Sequence, residues 1–390
     1  MGIQIPEFNS PNFSEEKYKN APNIELGVVE RDGVAPDNFY LTTHMPTFYK
    51  YGDRWLFPKH NSLNCVAVLE NGEIFVKEIR ELKKGENVVL SLTGEIDTGV
   101  LVYREGFPKS IYSTLGKAVE TSFSKDYEYL FELMQNERDS EDGYITWVLG
   151  PSVVFDYDTR KALNQLAENG YIDCLLGGNA MCTHDLEGGF LQTALGQNIY
   201  TQENVPMGHY NHLDLLNEVR TTGSIKEFIA SGNVKDGIIK TLSDMDIPFV
   251  LSGSIRDDGP LPEVIGDTER ALTETKKALD KSTLIICIAT MLHSLSVANM
   301  ASGYTVRKDG RITPVYMYSI DVTENVVNKV GAARELMAFV PMVTNVQDFV
   351  VNCEKALITP ANKVFADEMK IPEEEYVGIE RDKEESKGEI

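Results

Sequence analysis

The 390-residue sequence lacks any apolar run long enough to cross a membrane, and its first twenty residues lack the apolar core of a signal peptide. Positive charge is also scarce, because 37 lysines and arginines face 60 aspartates and glutamates, a formal net charge of -23. A surface this acidic repels nucleic-acid phosphates and anionic lipid headgroups. We therefore predict a cytoplasmic protein without a nucleic-acid or membrane partner.

Cysteine is sparse as well, and no C-x-x-C pair or zinc-binding pattern is present. The count is odd, and the settings are apolar, as in "IDCLL" and "LIICIA". These features predict reduced, buried thiols and no metal site. The five residues concerned are Cys65, Cys174, Cys182, Cys287 and Cys353.

The length suggests more than one domain. Residues 1–22 are polar and predict an N-terminal arm, either mobile or strapped over the body. Residues 23–105 have short apolar runs separated by turn signals such as Asn71-Gly72, which predicts a small, mostly β domain. Residues 106–358 are expected to form the catalytic domain, and 359–390 an acidic tail.

From residue 145 onward, short continuous apolar runs alternate with amphipathic segments. Strands that are apolar on both faces and alternate with helices predict an α/β domain with a parallel sheet covered on both sides. One helix is expected from "DTRKALNQLAENG", with Asp158 or Thr159 as its N-cap. Further helices are predicted at 213–222, 234–245, 267–280, 323–332 and 345–358.

Polar clusters follow four of the apolar runs, at the carboxyl strand ends where ligands bind in such sheets. They are "GGNAMCTHDLEGG" (177–189), "SGSIRDDGPLP" (252–262), "ATMLHSLSVANM" (289–300) and "YSIDVTENV" (318–326). In the second, Ser-Gly-Ser resembles a phosphate-binding turn, and Arg256 could hold a carboxylate with two bonds.

Each cluster also has a purely structural interpretation. The first could be a helix start with a satisfied histidine, and the second a loop ordered by an Arg–Asp ion pair. The third could be a core helix with a capped His293. In the fourth, Asp321 is either a ribose ligand or the N-cap of the next helix.

A fifth stretch, "MGHYNHLDLLNEVR", places His209 and His212 three residues apart, on one face if the segment is helical. With no third ligand nearby, this spacing favours proton transfer or substrate contact over metal binding, and an ordinary surface pair is the alternative. No G-x-G-x-x-G fingerprint occurs.

Taken together, "GGNAMCTHDLE", "SGSIRDDGPLP", "ATMLHSLSVANM" and "GHYNHLDLLNEVRTTGSI" resemble the archaeal-type ornithine cyclodeaminase family. This family also includes the C-terminal part of cyanobacterial arginine dihydrolase/ornithine cyclodeaminase. The resemblance covers about residues 55–357. It implies a small β domain followed by a Rossmann-like domain that binds NAD. The implied cofactor contacts are Asn179, Ala180, Asp258, Thr290, Met291, Leu292, His293, Asp321, Val322, Asn345 and Val346.

Two departures from the family pattern are expected at the cofactor end. The sequence reads "DVTE" at 321–324, preceded by the insertion "GYTVRKDGRITP" (303–314), and it reads "TNV" at 344–346, where the family has Thr-Asp-Val. The second departure removes a negative charge at Asn345.

The resemblance implies conversion of L-ornithine to L-proline with release of ammonia and with NAD recycled. For this reaction Arg256 is the candidate for binding the substrate carboxylate, and His209, His212, Asp257 and His293 are candidates for proton transfer. Another NAD-dependent amino-acid oxidoreductase, of lysine or saccharopine type, is the alternative enzyme. An NAD-binding regulatory module is the alternative without turnover. We also expect a homo-oligomer.

Overall fold

The structure is a computed structural model that describes residues 5–111, 125–257 and 259–358. The first part of the chain forms two antiparallel sheets from seven short strands: β1 Glu25–Val28, β2 Thr47–Tyr51, β3 Arg54–Leu56, β4 Val66–Glu70, β5 Glu73–Lys77, β6 Asn87–Leu90 and β7 Val100–Val102. One sheet has the order β1-β6-β4-β5 and the other β3-β2-β7. Asn71 and Gly72, with φ of 52° and 80°, make the predicted turn between β4 and β5.

The second part is built on strands β8 Ile145–Leu149, β9 Cys174–Gly178, β10 Thr193–Ala194, β11 Gln197–Asn198, β12 Phe249–Ser252, β13 Leu284–Ile288, β14 Tyr304–Val306, β15 Ile312–Pro314, β16 Tyr316–Asp321 and β17 Phe339–Val343. Six of them form one wholly parallel sheet in the order β12-β9-β8-β13-β16-β17. This order, in which the chain moves outward from β8 and then restarts at β13, is that of dinucleotide-binding domains. The predicted fold class is confirmed.

The central strands of the parallel sheet bury apolar side chains on both faces of the sheet. Trp147, Leu149 and Ile286 belong to one apolar cluster, whereas Val148 and Ile285 belong to the other. Because neighbouring residues of a strand point to opposite faces, a strand buried on both sides must be apolar throughout. This is why the central strands are continuous apolar runs in the sequence.

A short helix, α1 Glu16–Lys19, contacts β2 of the first part of the chain. The helices of the second part lie around the parallel sheet, and they are α2 Lys125–Asp139, α3 Tyr157–Glu168, α4 Asn179–Leu191, α5 Asn211–Thr222, α6 Ile225–Ala230, α7 Ile238–Asp244, α8 Thr268–Leu279, α9 Met291–Met300, α10 Glu324–Ala333 and α11 Val346–Leu357. Two predicted helix starts were wrong. Asp156, rather than Asp158 or Thr159, caps α3 by accepting the Thr159 amide at 2.9 Å. Helix α7 begins only after Gly237, whose φ of 126° is unsuited to a helix.

The insertion 303–314 does not lie at the cofactor end, contrary to the prediction. It forms the antiparallel hairpin β14–β15, which precedes β16 and therefore sits at the amino edge of the parallel sheet. Buried Arg307 fastens it there by an ion pair with Glu137 at 2.7 Å, near the end of α2. The N-terminal segment packs against the body, with Phe8 hydrogen-bonded to Ile312 through its backbone amide at 3.0 Å.

The two parts of the chain are joined by a buried polar contact. The imidazole of His44 lies between a Glu335 carboxylate oxygen, 3.1 Å from Nδ1, and the Ala298 carbonyl oxygen, 2.8 Å from Nε2. The neighbouring Arg334 guanidinium donates to three main-chain carbonyls, those of Ala301, Ser302 and Val315. All five cysteines are free and buried, as predicted. Within residues 5–111, 125–257 and 259–358, no helix is long and apolar enough to cross a membrane.

Candidate active site

The carboxyl ends of β8 and β13 meet where the strand order reverses, which is the position at which open α/β sheets bind ligands. The two strands are unusually close there. The Gly150 amide donates to the Ile288 carbonyl at 2.8 Å, and a Cβ on Gly150 would lie 1.9 Å from the Ala289 carbonyl oxygen. Only glycine fits this contact.

A cleft of about 230 Å³ lies beside this point, between β9, β12, α8 and α9. Its wall includes Gly253, Gly266, Leu292 and His293. A Cβ on Gly266 would meet nothing within 4 Å, so this side of the cleft is open space. Burial lowers the pKa of His293, and the Asp257 carboxylate opposes that shift only in part. The His293 ring is therefore neutral at pH 7.

Three helices begin at this edge without a side-chain cap. The N-cap residues of α4, α9 and α10 are Gly178, Thr290 and Thr323, and none of them makes a side-chain hydrogen bond to its helix. The first amides of these helices therefore remain available to a ligand, and the helix dipoles favour a negative one. Amide donors, an open glycine wall and an apolar lining fit the phosphates and rings of the expected NAD.

The residues expected to contact the cofactor are distributed along this edge. Asn179 opens α4, and the exposed Ala180 follows it. Thr290 caps α9, whose first residues Met291 and Leu292 are 41% and 69% exposed. Asp258 lies outside the described residues.

The expected cofactor contacts that follow β16 and β17 also have structural roles. Asp321 ends β16 and accepts bonds from the Thr323 amide and hydroxyl at 2.9 and 3.0 Å, next to the exposed Val322. It therefore orders the turn before α10 without being the N-cap. Asn345 caps α11, where its Oδ1 accepts two backbone amides, and the Val346 side chain is buried.

Asp257 orders the loop after β12 by a hydrogen bond to the backbone. The Ser254 amide donates to Asp257 Oδ2 at 2.7 Å, so this amide is not free to bind a phosphate as the Ser-Gly-Ser turn suggested. Arg256 is exposed, and the Asp257 carboxylate accepts the Ser254 amide rather than the Arg256 guanidinium. At the end of the loop, the Leu261 amide donates to Asn179 Oδ1 at 3.0 Å, which ties the loop to the first residue of α4.

His209 and His212 lie in two adjoining helical segments. His209 lies in the 3₁₀ turn Gly208–Tyr210, is exposed, and its ring contacts that of Tyr210 with centroids 4.4 Å apart. His212 lies in the first turn of α5, with its ring centroid 6.1 Å from that of His184. Among the residues that the structure describes, no three His, Cys, Asp or Glu side chains could hold a metal ion together.

The sequence analysis missed a buried network on α4. His184 Nδ1 lies 2.8 Å from Glu187 Oε2, and the other carboxylate oxygen of Glu187 accepts the Thr193 hydroxyl at 2.7 Å. The Asn211 side-chain amide then donates to Thr193 at 2.8 Å. The spacing of three residues between a histidine and a glutamate on one helix was the available signal.

A second buried network holds the opposite side of α4. The Arg160 guanidinium pairs with Asp185 and Asp236, each at 2.6 Å. The Asp185 carboxylate also accepts the amide of Ile239, at the start of α7, at 2.9 Å. Burial raises the pKa of Asp185, and the Arg160 charge counteracts this rise. The network fixes α4 against α3 and α7, which makes the helix a rigid wall of the site.

Comparison with known proteins assigns a family to this geometry. Residues 129–352 match the family described as "Arginine dihydrolase ArgZ-like, C-terminal, Rossmann fold". The chain is 38% identical over 285 residues to an ornithine cyclodeaminase of Archaeoglobus fulgidus, a match that covers 72% of this chain and 68% of the relative. A bifunctional arginine dihydrolase/ornithine cyclodeaminase of Nostoc is 33% identical over 338 residues, which cover 84% of this chain but 46% of that protein.

Solved structures agree. A conserved putative LOR/SDH protein from Methanococcus maripaludis superposes with a TM-score of 0.75 at 30% identity, over 86% of this chain and 98% of that chain. The ternary complex of AgrE with ornithine and NAD⁺ superposes with a TM-score of 0.54 at 29% identity, over 88% of this chain and 47% of that chain. The expected family resemblance is confirmed.

Proposed function

Since the chain belongs to the ArgZ-like C-terminal family, together with the archaeal ornithine cyclodeaminases, we propose that it is an NAD-dependent ornithine cyclodeaminase. It would convert L-ornithine to L-proline and ammonia, as an ammonia-lyase that closes a ring. One observation carries the proposal: the loop with Arg256 is tied through Leu261 to Asn179, at the edge where three helices begin without side-chain caps. A substrate bound by this loop would therefore meet a cofactor bound at that edge.

The cofactor would lie along the carboxyl edge of the sheet. The bound NAD would supply a hydride acceptor for the α-carbon of ornithine, and the same hydride would be returned to the cyclic imine that forms after ammonia leaves. Amides at the start of α4 and α9 would hold the phosphates, and Asp321 would accept bonds from a ribose. His293, neutral because of its burial, would contact the cofactor without adding positive charge.

Arg256 would bind the α-carboxylate of the substrate. Arg256 is exposed on a loop that is shaped by the hydrogen bond between the Ser254 amide and Asp257, and no ion pair joins Arg256 to Asp257 among the described residues. A planar guanidinium can hold a carboxylate with two parallel bonds, which would fix the α-carbon next to the cofactor. His212, at the start of α5, stays a candidate for contact with the substrate amines, whereas His209 lies farther out.

Ornithine labelled with deuterium at the α-carbon tests the proposal. The full-length protein, given this substrate and catalytic amounts of NAD⁺, should form proline and ammonia in equal amounts. The label should remain at the α-carbon of the proline, because the same hydride is removed and returned. Absence of NAD⁺ is the control and should abolish turnover.

The other two interpretations give different results in the same experiment. An oxidoreductase of lysine or saccharopine type would leave ornithine unchanged, and it would accumulate NADH only when its own amino acid is supplied with stoichiometric NAD⁺. A regulatory module would bind NAD⁺ in a calorimeter without forming product from any amino acid tested. Proline that has exchanged its label with water would also contradict the proposed hydride return.

A further inference from the structure

One face of helix α4 runs from the carboxyl edge of the sheet into the protein interior. Ala180 lies at the edge and is exposed. His184, one turn later, is 8% exposed, and Glu187, three residues beyond, is completely buried. Because residues three and four apart are neighbours on a helix, these three positions form a continuous row. The row leads from the expected cofactor contact Ala180 directly to a buried carboxylate.

One hydrogen bond along this row orients the histidine ring. Glu187 Oε2 lies 2.8 Å from Nδ1 of His184, and because a carboxylate oxygen accepts, Nδ1 is the donor in this contact and Nε2 is left for another partner. Glu187 is itself held by the Thr193 hydroxyl. Among the described residues, Nε2 of His184 has no hydrogen-bond partner.

Two aromatic rings flank the His184 imidazole. The Phe155 ring meets the imidazole edge to face, with centroids 5.5 Å apart at 84°. Phe155 follows the 3₁₀ turn that leaves β8, and His212 of α5 lies on another side, with its ring centroid 6.1 Å away. The ring therefore sits between elements that begin at the ends of β8 and β9.

The segment that supplies Thr193 is held in an unfavourable backbone conformation. Gln192, Leu195, Gln202 and Met207 all have φ between 53° and 62°, which residues other than glycine rarely adopt. Such conformations persist where the surrounding structure imposes them, and they cluster at functional sites. The strain is consistent with a segment shaped to hold the Glu187 carboxylate.

We propose that His184 is a catalytic proton acceptor for the substrate amine and that Glu187 is its positioning residue; this inference rests on the proposed function. An N–H bond of the α-ammonium group breaks, its electron pair stays on nitrogen, and the proton passes to Nε2. Glu187 balances the positive ring that results. When the α-carbon–nitrogen bond breaks later, the electron pair leaves with nitrogen, and the proton returns to it as ammonia departs.

Kinetics of His184→Asn and Glu187→Gln, measured on the full-length protein, give the first test. His184→Asn should lower kcat by about 10²–10⁴-fold, the usual contribution of a general base. Glu187→Gln preserves shape and should lower kcat at least about tenfold, with the KM for ornithine nearly unchanged. NAD⁺ affinity measured by calorimetry should stay the same in both. The matched control is His60→Asn, because His60 lies beside Lys276 and Asp280 at the far end of α8.

Long-range ¹H–¹⁵N spectra of the histidine rings give a readout independent of activity. In the unliganded wild-type protein, the His184 ring, assigned by its loss in His184→Asn, should carry its proton on Nδ1. A proton on Nε2 would overturn the proposal, and so would a His184→Asn variant that keeps more than half of the wild-type kcat. If the wild-type protein makes no proline, the proposed function fails instead, and the spectra still decide whether His184 presents a free base.

Discussion

Two His–Glu pairs in this protein have similar distances and opposite arrangements. In the pair that joins the two parts of the chain, His44 is completely buried, whereas the Glu335 side chain keeps 28% of its surface exposed. In the pair on α4, the glutamate is completely buried, and the His184 side chain retains 10% exposure. His44 has an acceptor on each ring nitrogen, whereas the described part of the chain supplies His184 with a partner at Nδ1 alone. The first pair therefore uses both ring nitrogens in structural contacts, and the second leaves Nε2 for the proposed proton transfer.

The buried arginines beside the two pairs differ in the same way. Arg334 donates only to main-chain carbonyls, and burial lowers its pKa to about 9 although Glu335 opposes the shift. Arg160 is compensated by two carboxylates, Asp185 and Asp236. A buried charge without a paired counter-charge is costly, and one with good ion pairs is tolerated. The buried arginine on the side of the candidate site, Arg160, is therefore the one with paired counter-charges.

The pH dependence of folding gives the largest expected effect. Its absence would contradict the description of the His44–Glu335 pair as a buried structural contact. Burial lowers the pKa of His44 to about 4, with Glu335 opposing the shift through its hydrogen bond. In the unfolded chain His44 titrates near 6.5, so its contribution to stability is complete above that pH and is lost as the pH falls toward 4. The expected loss is about 3 kcal/mol. Urea unfolding between pH 8 and pH 4 measures it.

His44→Gln is the control for this effect, since it removes the titration and should flatten the curve between pH 6.5 and 4. The two acceptors around His44 favour a charged ring, but burial is the larger influence. A free energy of unfolding that rises as the pH falls from 8 to 6 would contradict this prediction. In that case His44 would be charged, and the closed pair would be an ion pair.

The variant Asp321→Ala tests whether Asp321, which accepts hydrogen bonds from Thr323, also binds the cofactor. Loss of its ribose bonds should weaken NAD⁺ binding by about 1.5–3 kcal/mol, the range for hydrogen bonds to charged groups. Calorimetry measures this, and thermal melts without NAD⁺ measure stability. Asp321→Asn keeps an acceptor for the Thr323 amide and is the matched control for the turn. An Asp321→Ala protein with full NAD⁺ affinity and lower stability would assign Asp321 to the turn alone.

Arg256→Lys gives the smallest expected effect. It tests whether an exposed side chain of the candidate site binds the substrate, in contrast to the buried structural pair of His44. Lysine keeps the charge but loses the two-pronged geometry, which should raise the KM for ornithine by about tenfold, or roughly 1.4 kcal/mol. NAD⁺ affinity should barely change, because Asp257 and not Arg256 orders the loop. Arg54→Lys, on β3 of the small sheet, is the control. Weaker NAD⁺ binding with an unchanged KM would exclude the substrate-binding role.

Local signals in the sequence were sufficient for the fold and for the edge that carries the site. Asn71-Gly72 predicted a turn from the backbone needs of those two residues alone, and continuous apolar runs predicted strands buried on both faces. The polar clusters after those runs then marked the carboxyl edge. These inferences succeed because each depends on residues that are close in the chain.

The networks that hold the site depend on distant residues, and the sequence did not reveal them. Arg160 meets Asp185 and Asp236 across 25 and 76 residues, and His44 meets Glu335 across 291. Nothing in the composition of either segment points to the other. The hairpin at 303–314 was placed at the wrong edge for the same reason, since its contact with Glu137 is set by the sheet order.

Helix α4 has ten buried residues among its thirteen, and its two glycines bring it into direct contact with its surroundings. A Cβ on Gly188 would lie 2.7 Å from the Arg160 guanidinium, and one on Gly189 would lie 2.2 Å from the Asp236 carbonyl oxygen. The amide hydrogens of α4 beyond its first turn should therefore exchange with solvent only when the whole domain unfolds, whereas those at 254–257 should exchange through local opening. Any closure around a substrate would then occur by movement of the loop toward a stationary helix.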